Sequence, residues 1–287
     1  MMNPANIGEI KKLLSNENFS FKKSLGQNFI IDESICPQMA QSAADSESGV
    51  IEIGPGAGVL TCELAKRAKR VVAIELDERL KPILNKVVGG YENVKIIFAD
   101  VMKTDLKKLI EDEFCDCKRV SICANLPYYI TSPVIMMLLE SKLNITDITA
   151  MIQLEAAERI CAKLGSRKAG AITAAVDYYS EAEILFEVKK ECFLPSPKVD
   201  SAVINLHIRK EPPIKVKNEK FFFCIVKACF AQRRKTLLNT ISNTMPIDKE
   251  KIKTALGEMG IEPTVRGEQL SIEQIALLSD KLEENNG

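Results

Sequence analysis

Val50-Ile-Glu-Ile-Gly-Pro-Gly-Ala-Gly58 decides how the rest of the chain is read. A short apolar run stops at three alternate glycines, Gly54, Gly56 and Gly58, and a helix-like stretch over 58–69 follows at once. Continuous apolar character fits a strand covered on both faces of a parallel sheet. Glycines at such a strand-to-helix turn let the backbone bend sharply and let a ligand approach the helix N-terminus closely. Glu75 ends the next β-rich run, 21 residues after Gly54. A carboxylate there can accept from both hydroxyls of a ribose.

Outward from this turn the first two thirds of the chain alternate between β-rich and helical runs. Residues 49–54, 70–76, 94–100, 119–127 and 147–154 read as strands, with helix-like segments such as 58–69 and 132–142 between them. That rhythm predicts an α/β fold whose parallel sheet carries helices on both faces. Two further strand candidates, 182–190 and 200–210, flank the proline-rich stretch 193–198 and are expected to pair at one sheet edge. Around 211–219 two prolines and polar residues make a break. Three helical patterns follow, over 220–244, 248–259 and 271–284, the last opened by Ser271 with Gln274 at capping-box spacing. The expected organisation is a sheet domain over 1–208 and a small all-α domain over 209–287.

Composition excludes several classes. Hydrophobic residues make up 46% and charged residues 27% of 287 residues, ordinary globular values that argue against disorder and low-complexity chains. No run approaches the roughly 18 apolar residues of a spanning helix. The first residues lack an apolar stretch ahead of a cleavage site, so no secretory signal is read and a cytoplasmic location is expected. Nine scattered cysteines without a C-x-x-C pair fit buried reduced thiols better than a zinc site, and no metal is expected. His207, the one histidine, sits in strand-like sequence and reads as structural. The chain is neutral overall, yet 209–238 holds nine Lys/Arg against two Asp/Glu, whereas 245–287 holds five against nine. A local basic segment suits a polyanion partner, although a solvated helix face would look the same.

Cofactor class turns on detail. Val59 stands where a dinucleotide fingerprint has its third glycine, and Pro55 differs from the usual pyrophosphate cradle. The E-x-G-x-G-x-G pattern instead resembles the turn of S-adenosylmethionine-dependent methyltransferases. Asp100, closing the third β-rich run, is placed to accept from an adenine amino group or else to cap a helix. Asn125-Leu-Pro-Tyr128 closes the fourth. An exocyclic amino nitrogen is a poor nucleophile because its lone pair is delocalised into the ring. The Asn125 side-chain oxygen and the Leu126 carbonyl can accept from that NH₂, Pro127 stiffens the turn, and Tyr128 offers a face for the base to stack on. Catalysis by positioning and electrostatics needs no histidine.

The chain resembles the KsgA/RsmA family of small-subunit rRNA adenine N6,N6-dimethyltransferases. The matching stretches are Lys23–Phe29 (KSLGQNF), Glu52–Gly58, Asn125–Pro133 (NLPYYITSP), Phe193–Ser201 (FLPSPKVDS) and Cys229–Leu237 (CFAQRRKTL). They occur in order over nearly the whole chain. The resemblance implies a Rossmann-like methyltransferase sheet that binds S-adenosylmethionine at Asn28, Ile30, Gly54, Gly56, Glu75, Asp100 and Asn125; Ile30 stands where the family usually has Leu. It implies that Phe193 is a second aromatic wall of the base pocket, beside Asn125, Leu126, Pro127 and Tyr128. It also implies that Arg233, Arg234 and Lys235 face RNA from the first C-terminal helix, that a pre-30S particle is the partner, and that the protein is a monomer. Erythromycin-resistance-type enzymes share the Q-N-F, N-x-P-Y and F-x-P-x-P segments, but Leu126, 129–133 and 230–235 favour the small-subunit reading. A binding module on the same fold that has given up catalysis, and a nicotinamide dehydrogenase, fit the intact motifs less well.

Overall fold

The computed structural model describes residues 8, 12, 13, 15, 17, 19, 21, 22, 26–232 and 234–284. A two-residue strand β1 (Phe29–Ile30) and helix α1 (Ile35–Ala43) lead into a regular alternation. It runs β2 (Ser48–Ile53), α2 (Val59–Ala65), β3 (Arg70–Glu75), α3 (Lys81–Val88), β4 (Val94–Phe98), α4 (Leu106–Glu113), β5 (Arg119–Asn125), α5 (Thr131–Glu140) and β6 (Asp147–Gln153). Parallel neighbours cannot be joined by a tight turn, so a crossover helix follows each of these strands up to β5. Helices α6 (Leu154–Ile160) and α7 (Ala171–Tyr179) precede β7 (Ser180–Val188), β8 (Phe193–Leu194) and β9 (Ser201–Ile208).

The main sheet has the order β4-β3-β2-β5-β6-β9-β7. Strands β4, β3, β2, β5 and β6 are parallel, and β9 runs antiparallel to β6. As the sequence pattern predicts, the two late strands β7 and β9 are neighbours, with β7 at the edge. Succession from β2 proceeds one way through β3 and β4, and the other way from β5 through β6. The order therefore reverses between β2 and β5, and open α/β sheets bind ligands at the carboxyl ends of such a reversal. Separately, β1 pairs antiparallel with β8, Phe29 opposite Leu194 and Ile30 opposite Phe193.

Side chains alternate across the sheet with period two. Val50, Val71, Cys123, Met151 and Val203 pack into one apolar cluster with Met39 of α1, Leu60 of α2 and Leu84 of α3. Ile51, Ile53, Val72, Ile74 and Ile122, at the intervening positions, are equally buried. Both faces are thus covered, which is why these strands read as unbroken apolar runs.

The chain divides into two compact units, residues 1–157 with 183–208, and residues 158–182 with 209–287. The second gathers α7, α8 (Glu219–Phe230), α9 (Leu237–Thr244), α10 (Lys249–Glu258) and α11 (Ile272–Glu284). Aromatic stacking explains why 158–182 groups here: Tyr178 lies 5.3 Å from Phe222, and Tyr179 stacks on Phe223 at 5.3 Å. The Tyr179 hydroxyl also donates to Glu219 Oε1 at 2.7 Å. The Ser271–Gln274 capping box is present, with Ser271 N–H donating to Gln274 Oε1 and Gln274 N–H to Ser271 Oγ.

Two sequence expectations need correction. The pattern over 220–244 is not one helix, since 231–236 separates α8 from α9. Lys235 N–H turns back to the Gln232 carbonyl, and Leu237 N–H leaves for the Val265 carbonyl. The cysteines are all free, but only Cys36, Cys62, Cys123 and Cys229 are buried, while Cys115 and Cys224 are exposed. His207 lies on β9, its Nδ1 3.0 Å from Asp147 Oδ1. Among the described residues no helix is long and apolar enough to cross a membrane.

Candidate active site

The glycine turn between β2 and α2 uses the left-handed backbone region three times, with φ of 72° at Gly54, 58° at Gly56 and 83° at Gly58. Side chains disfavour that region, so the alternate glycines are a backbone requirement. Space matters as well. A Cβ at Gly56 would sit 3.1 Å from the Phe29 ring, while at Gly54 the nearest atom is the Asn125 carbonyl oxygen at 4.0 Å. Gly54 thus faces open space that a ligand can use.

Three carboxylates stand around the turn. Glu75, buried at the end of β3, accepts from Gly56 N–H at 3.1 Å on Oε2 and from Asp77 N–H at 2.8 Å on Oε1. Burial raises its pKa, although those two amides oppose the shift. Each oxygen retains a lone pair for a further donor, the capacity needed to hold a diol. Asp100 follows β4 and caps the next turn, its Oδ1 accepting from Met102 N–H at 3.0 Å. The capping role weighed in sequence is therefore present, and the side chain still lines the cleft. Glu52 is 1% exposed and neither of its oxygens has a partner among the described residues. Burial pushes its pKa up to about 8; the Thr61 hydroxyl opposes the shift and the charge of Glu75 adds to it.

Asn125 ends β5 in the same layer, since Ile53 of β2 pairs with both Ile74 and Ala124. Glu75 and Asn125 therefore share the carboxyl edge of the sheet. The Asn125 Nδ2 donates to the Asn28 carbonyl at 3.1 Å. A carbonyl can only accept, so the amide nitrogen is committed there and Oδ1 is left as an acceptor. Leu126 donates its N–H to the Met151 carbonyl, and Pro127 accepts from Ile130 N–H, closing a tight turn. Tyr128 is held by its hydroxyl, 2.8 Å from Ser201 Oγ. Asn28 and Ile30 come to the site on the strap that includes β1, which the β1–β8 pairing ties to Phe193.

These side chains converge. One cleft of about 340 Å³ is lined by Asn28, Ile30, Gly54, Gly56, Glu75, Asp100, Asn125, Leu126, Pro127, Tyr128 and Phe193. That is the size range of small-molecule sites. Phe193 is 3% exposed and also belongs to the apolar core, so it serves packing and the cleft wall together. The basic residues lie elsewhere. Arg234 and Lys235 are exposed in the 231–236 connection and not on a helix as expected, and Arg233 lies outside the described residues.

Other cleft residues carry weaker sequence signals. Glu52 is legible only as a charge inside an apolar strand. Leu76 and Met102 are 54% and 43% exposed and line the cleft, apolar surface that a flat ring could cover. Gln27 and Asp77 meet at 2.8 Å although 50 residues apart in sequence. A glycine cradle, a buried carboxylate with spare lone pairs, a second carboxylate and exposed apolar side chains together fit an adenosyl group.

Comparison with known proteins agrees with this geometry. The family model for ribosomal RNA adenine dimethylases matches residues 18–284. The ribosomal RNA small subunit methyltransferase A of Bacillus licheniformis is 50% identical over 278 residues, 96% of this chain and 95% of that one. Its namesake from Geobacillus thermodenitrificans is 49% identical over 279 residues, again 96% and 95% of the two chains. Among solved structures, a dimethyladenosine transferase from Plasmodium falciparum is 25% identical with a TM-score of 0.70, covering 87% of this chain and 94% of that one. The 23S rRNA methyltransferase ErmE is 26% identical with a TM-score of 0.66, covering 89% and 100%. With a Rossmann-like sheet, a glycine cradle beside Glu75 and an oriented Asn125 at its carboxyl edge, and a family match that spans both units, the chain belongs to the ribosomal RNA adenine dimethylases.

Proposed function

We propose that this enzyme transfers methyl groups from S-adenosylmethionine to N6 of two adjacent adenines in a hairpin loop near the 3′ end of 16S rRNA. The products are N6,N6-dimethyladenosines, and the role is in small-subunit biogenesis. The observation that carries this reading is the Asn125 amide, whose nitrogen is committed to the Asn28 carbonyl and whose oxygen remains an acceptor in the cleft that Glu75 also lines. The close relatives' name, small subunit methyltransferase A, favours the small over the large subunit.

Asn28, Ile30, Gly54, Gly56, Glu75, Asp100 and Asn125 would hold the cofactor: Glu75 takes the ribose hydroxyls, Asp100 the adenine amino group, and the glycines give close backbone approach. When bound, S-adenosylmethionine supplies an electrophilic methyl group. Asn125 Oδ1 and the Leu126 carbonyl accept from the target amino group, aim its lone pair and stabilise the positive charge that develops on nitrogen. Pro127 keeps the two oxygens convergent. Tyr128 and Phe193 enclose the base, which must be unpaired or flipped out because N6 within a duplex faces its partner base. On the second transfer only one N–H remains, so a single acceptor suffices. Residues 1–208 carry this chemistry, and 209–287 dock the pre-30S particle through Arg233, Arg234 and Lys235. The enzyme acts as a cytoplasmic monomer and uses no metal.

The deciding experiment incubates the protein with labelled S-adenosylmethionine and either small or large ribosomal subunits lacking their adenine methyls, then maps the label. Label on adenine N6 of the small subunit is expected. Label on the large subunit, or none, overturns the reading.

A further inference from the structure

Residues 26–30 line the cleft as a strap, anchored at one end by the pairing of β1 with β8. Its other anchor is made by side chains. Gln27 donates Nε2 to Asp77 Oδ2 at 2.8 Å and accepts from Lys22 N–H on Oε1 at 3.1 Å. The Asp77 side chain is only 4% exposed. Arg79 holds it from beyond, donating Nε to Oδ1 at 2.8 Å, and keeps the Asp77 pKa below its ordinary value. Asp77 N–H in turn donates to Glu75 Oε1. One residue along the strap, the Asn28 carbonyl receives the Asn125 amide. A continuous chain of hydrogen bonds and backbone thus runs from the Glu75 carboxylate through Asp77, Gln27 and Asn28 to Asn125.

We infer that Gln27 and Asp77 form a positioning latch, which holds the strap so that the Asn28 carbonyl fixes the orientation of the Asn125 amide. The inference rests on the function proposed above, because it concerns how the base acceptor is aimed. Both latch partners are matched in charge state: a neutral amide donates to a carboxylate that stays ionised, and a hydrogen bond to an ionised acceptor is stronger than a neutral one. Lifting the strap would remove the carbonyl that tells the two ends of the Asn125 amide apart. The flipped amide points NH₂ at the adenine NH₂, donor against donor, and offers no help to the lone pair. Neither Gln27 nor Asp77 need touch the reacting atoms for this to act.

The test uses the full chain with small subunits lacking their adenine methyls, and hydrogen exchange across residues 26–30 without RNA. Gln27→Ala should lower kcat about tenfold, the loss expected for one hydrogen bond to a charged group, and speed exchange of the strap amides. Gln27→Glu should be worse, since two carboxylates would then face each other. Combining Gln27→Glu with Asp77→Asn reverses donor and acceptor within the pair but gives up the Arg79 ion pair on the same Asp77 oxygen, so it should recover part of both kcat and strap protection. A role in bulk stability alone would not respond to that reversal, and melting temperatures of all variants check the fold. Wild-type kcat with wild-type exchange in Gln27→Ala, or a double variant no better than the worse single one, overturns the latch. If the wild-type protein fails to methylate adenine, the proposed function falls, while the exchange measurement still decides whether the latch exists.

Discussion

A carboxyl group without a full hydrogen bond is costly to bury, and Glu52 is such a group. In the unfolded chain it titrates near its ordinary 4.5; in the fold it is pushed up to about 8. The folded protein therefore keeps a proton that the unfolded chain gives up between those values. By linkage the native state loses stability as pH rises through that window, the opposite of a salt-bridged acid. Glu52→Gln should flatten this dependence and stabilise the cofactor-free protein at pH 8 by roughly a few kcal/mol. Melting temperatures across pH 5 to 8, about the window between the two values, measure it; an unchanged slope would mean that Glu52 does not carry it. Glu75 sits under the same burial but with two amides on its oxygens. Glu75→Ala should weaken S-adenosylmethionine by about 1.5–3 kcal/mol, read by calorimetry, because a charged acceptor is removed. Asn125→Ala should behave differently. Its oxygen acts on the developing charge, so kcat should fall by roughly 10²-fold with little change in RNA affinity. Mass spectrometry of the product RNA would detect dimethyladenosine formed at the normal rate, the result that contradicts the mechanism.

Elements carry the difference between what sequence makes legible and what it does not. Strands β2, β3, β5 and β6 are legible because burial on both faces writes itself as apolar runs, and the glycine turn because left-handed φ demands glycine. The strap is not, because its meaning comes from partners far along the chain: Phe29 opposite Leu194, Gln27 on Asp77, Asn28 under Asn125. The gap at 231–236 is hidden for another reason. Apolar residues recur with helical spacing on both sides of it, and the first helix ends where Ala231 N–H tightens onto the Ala228 carbonyl and Lys235 N–H onto the Gln232 carbonyl. Likewise nothing in 158–182 announces its grouping with the C-terminal helices, which depends on Tyr178 and Tyr179 meeting Phe222 and Phe223. The turn and the strap are coupled, which gives a test at this scale. Gly56→Ala combines an unfavourable φ of 58° with a Cβ pressed on the Phe29 ring, and should cost about 1–2 kcal/mol in stability and weaken cofactor binding. Gly257→Ala is the control, since its Cβ meets open space within α10 and should stabilise by about 0.5–1 kcal/mol. Denaturant midpoints and calorimetry on both variants separate strain at the site from a general effect of adding a methyl group.

For the whole molecule, charge is the property that neither the cleft nor the sheet explains. The chain is neutral, yet nine Lys/Arg against two Asp/Glu fall within 209–238. A solvated helix face can carry that imbalance, whereas RNA binding gains from every phosphate neutralised and every counterion released. Exposed Arg234 and Lys235 stand in a connection between helices, where long side chains can adapt to a backbone without reading bases. Reversing the charge of both residues should therefore weaken binding to small subunits and reduce the slope of log K against log salt by about 0.7–0.9 for each phosphate no longer neutralised. The affinity for S-adenosylmethionine should not move, since neither residue lines the cleft. Adding the reversal of Arg233 should deepen the loss in the same direction. Filter binding at a series of salt concentrations, paired with calorimetry on the cofactor, reads both quantities. A slope equal to that of the wild type would reduce the basic stretch to a solvated surface and move RNA docking elsewhere on the protein.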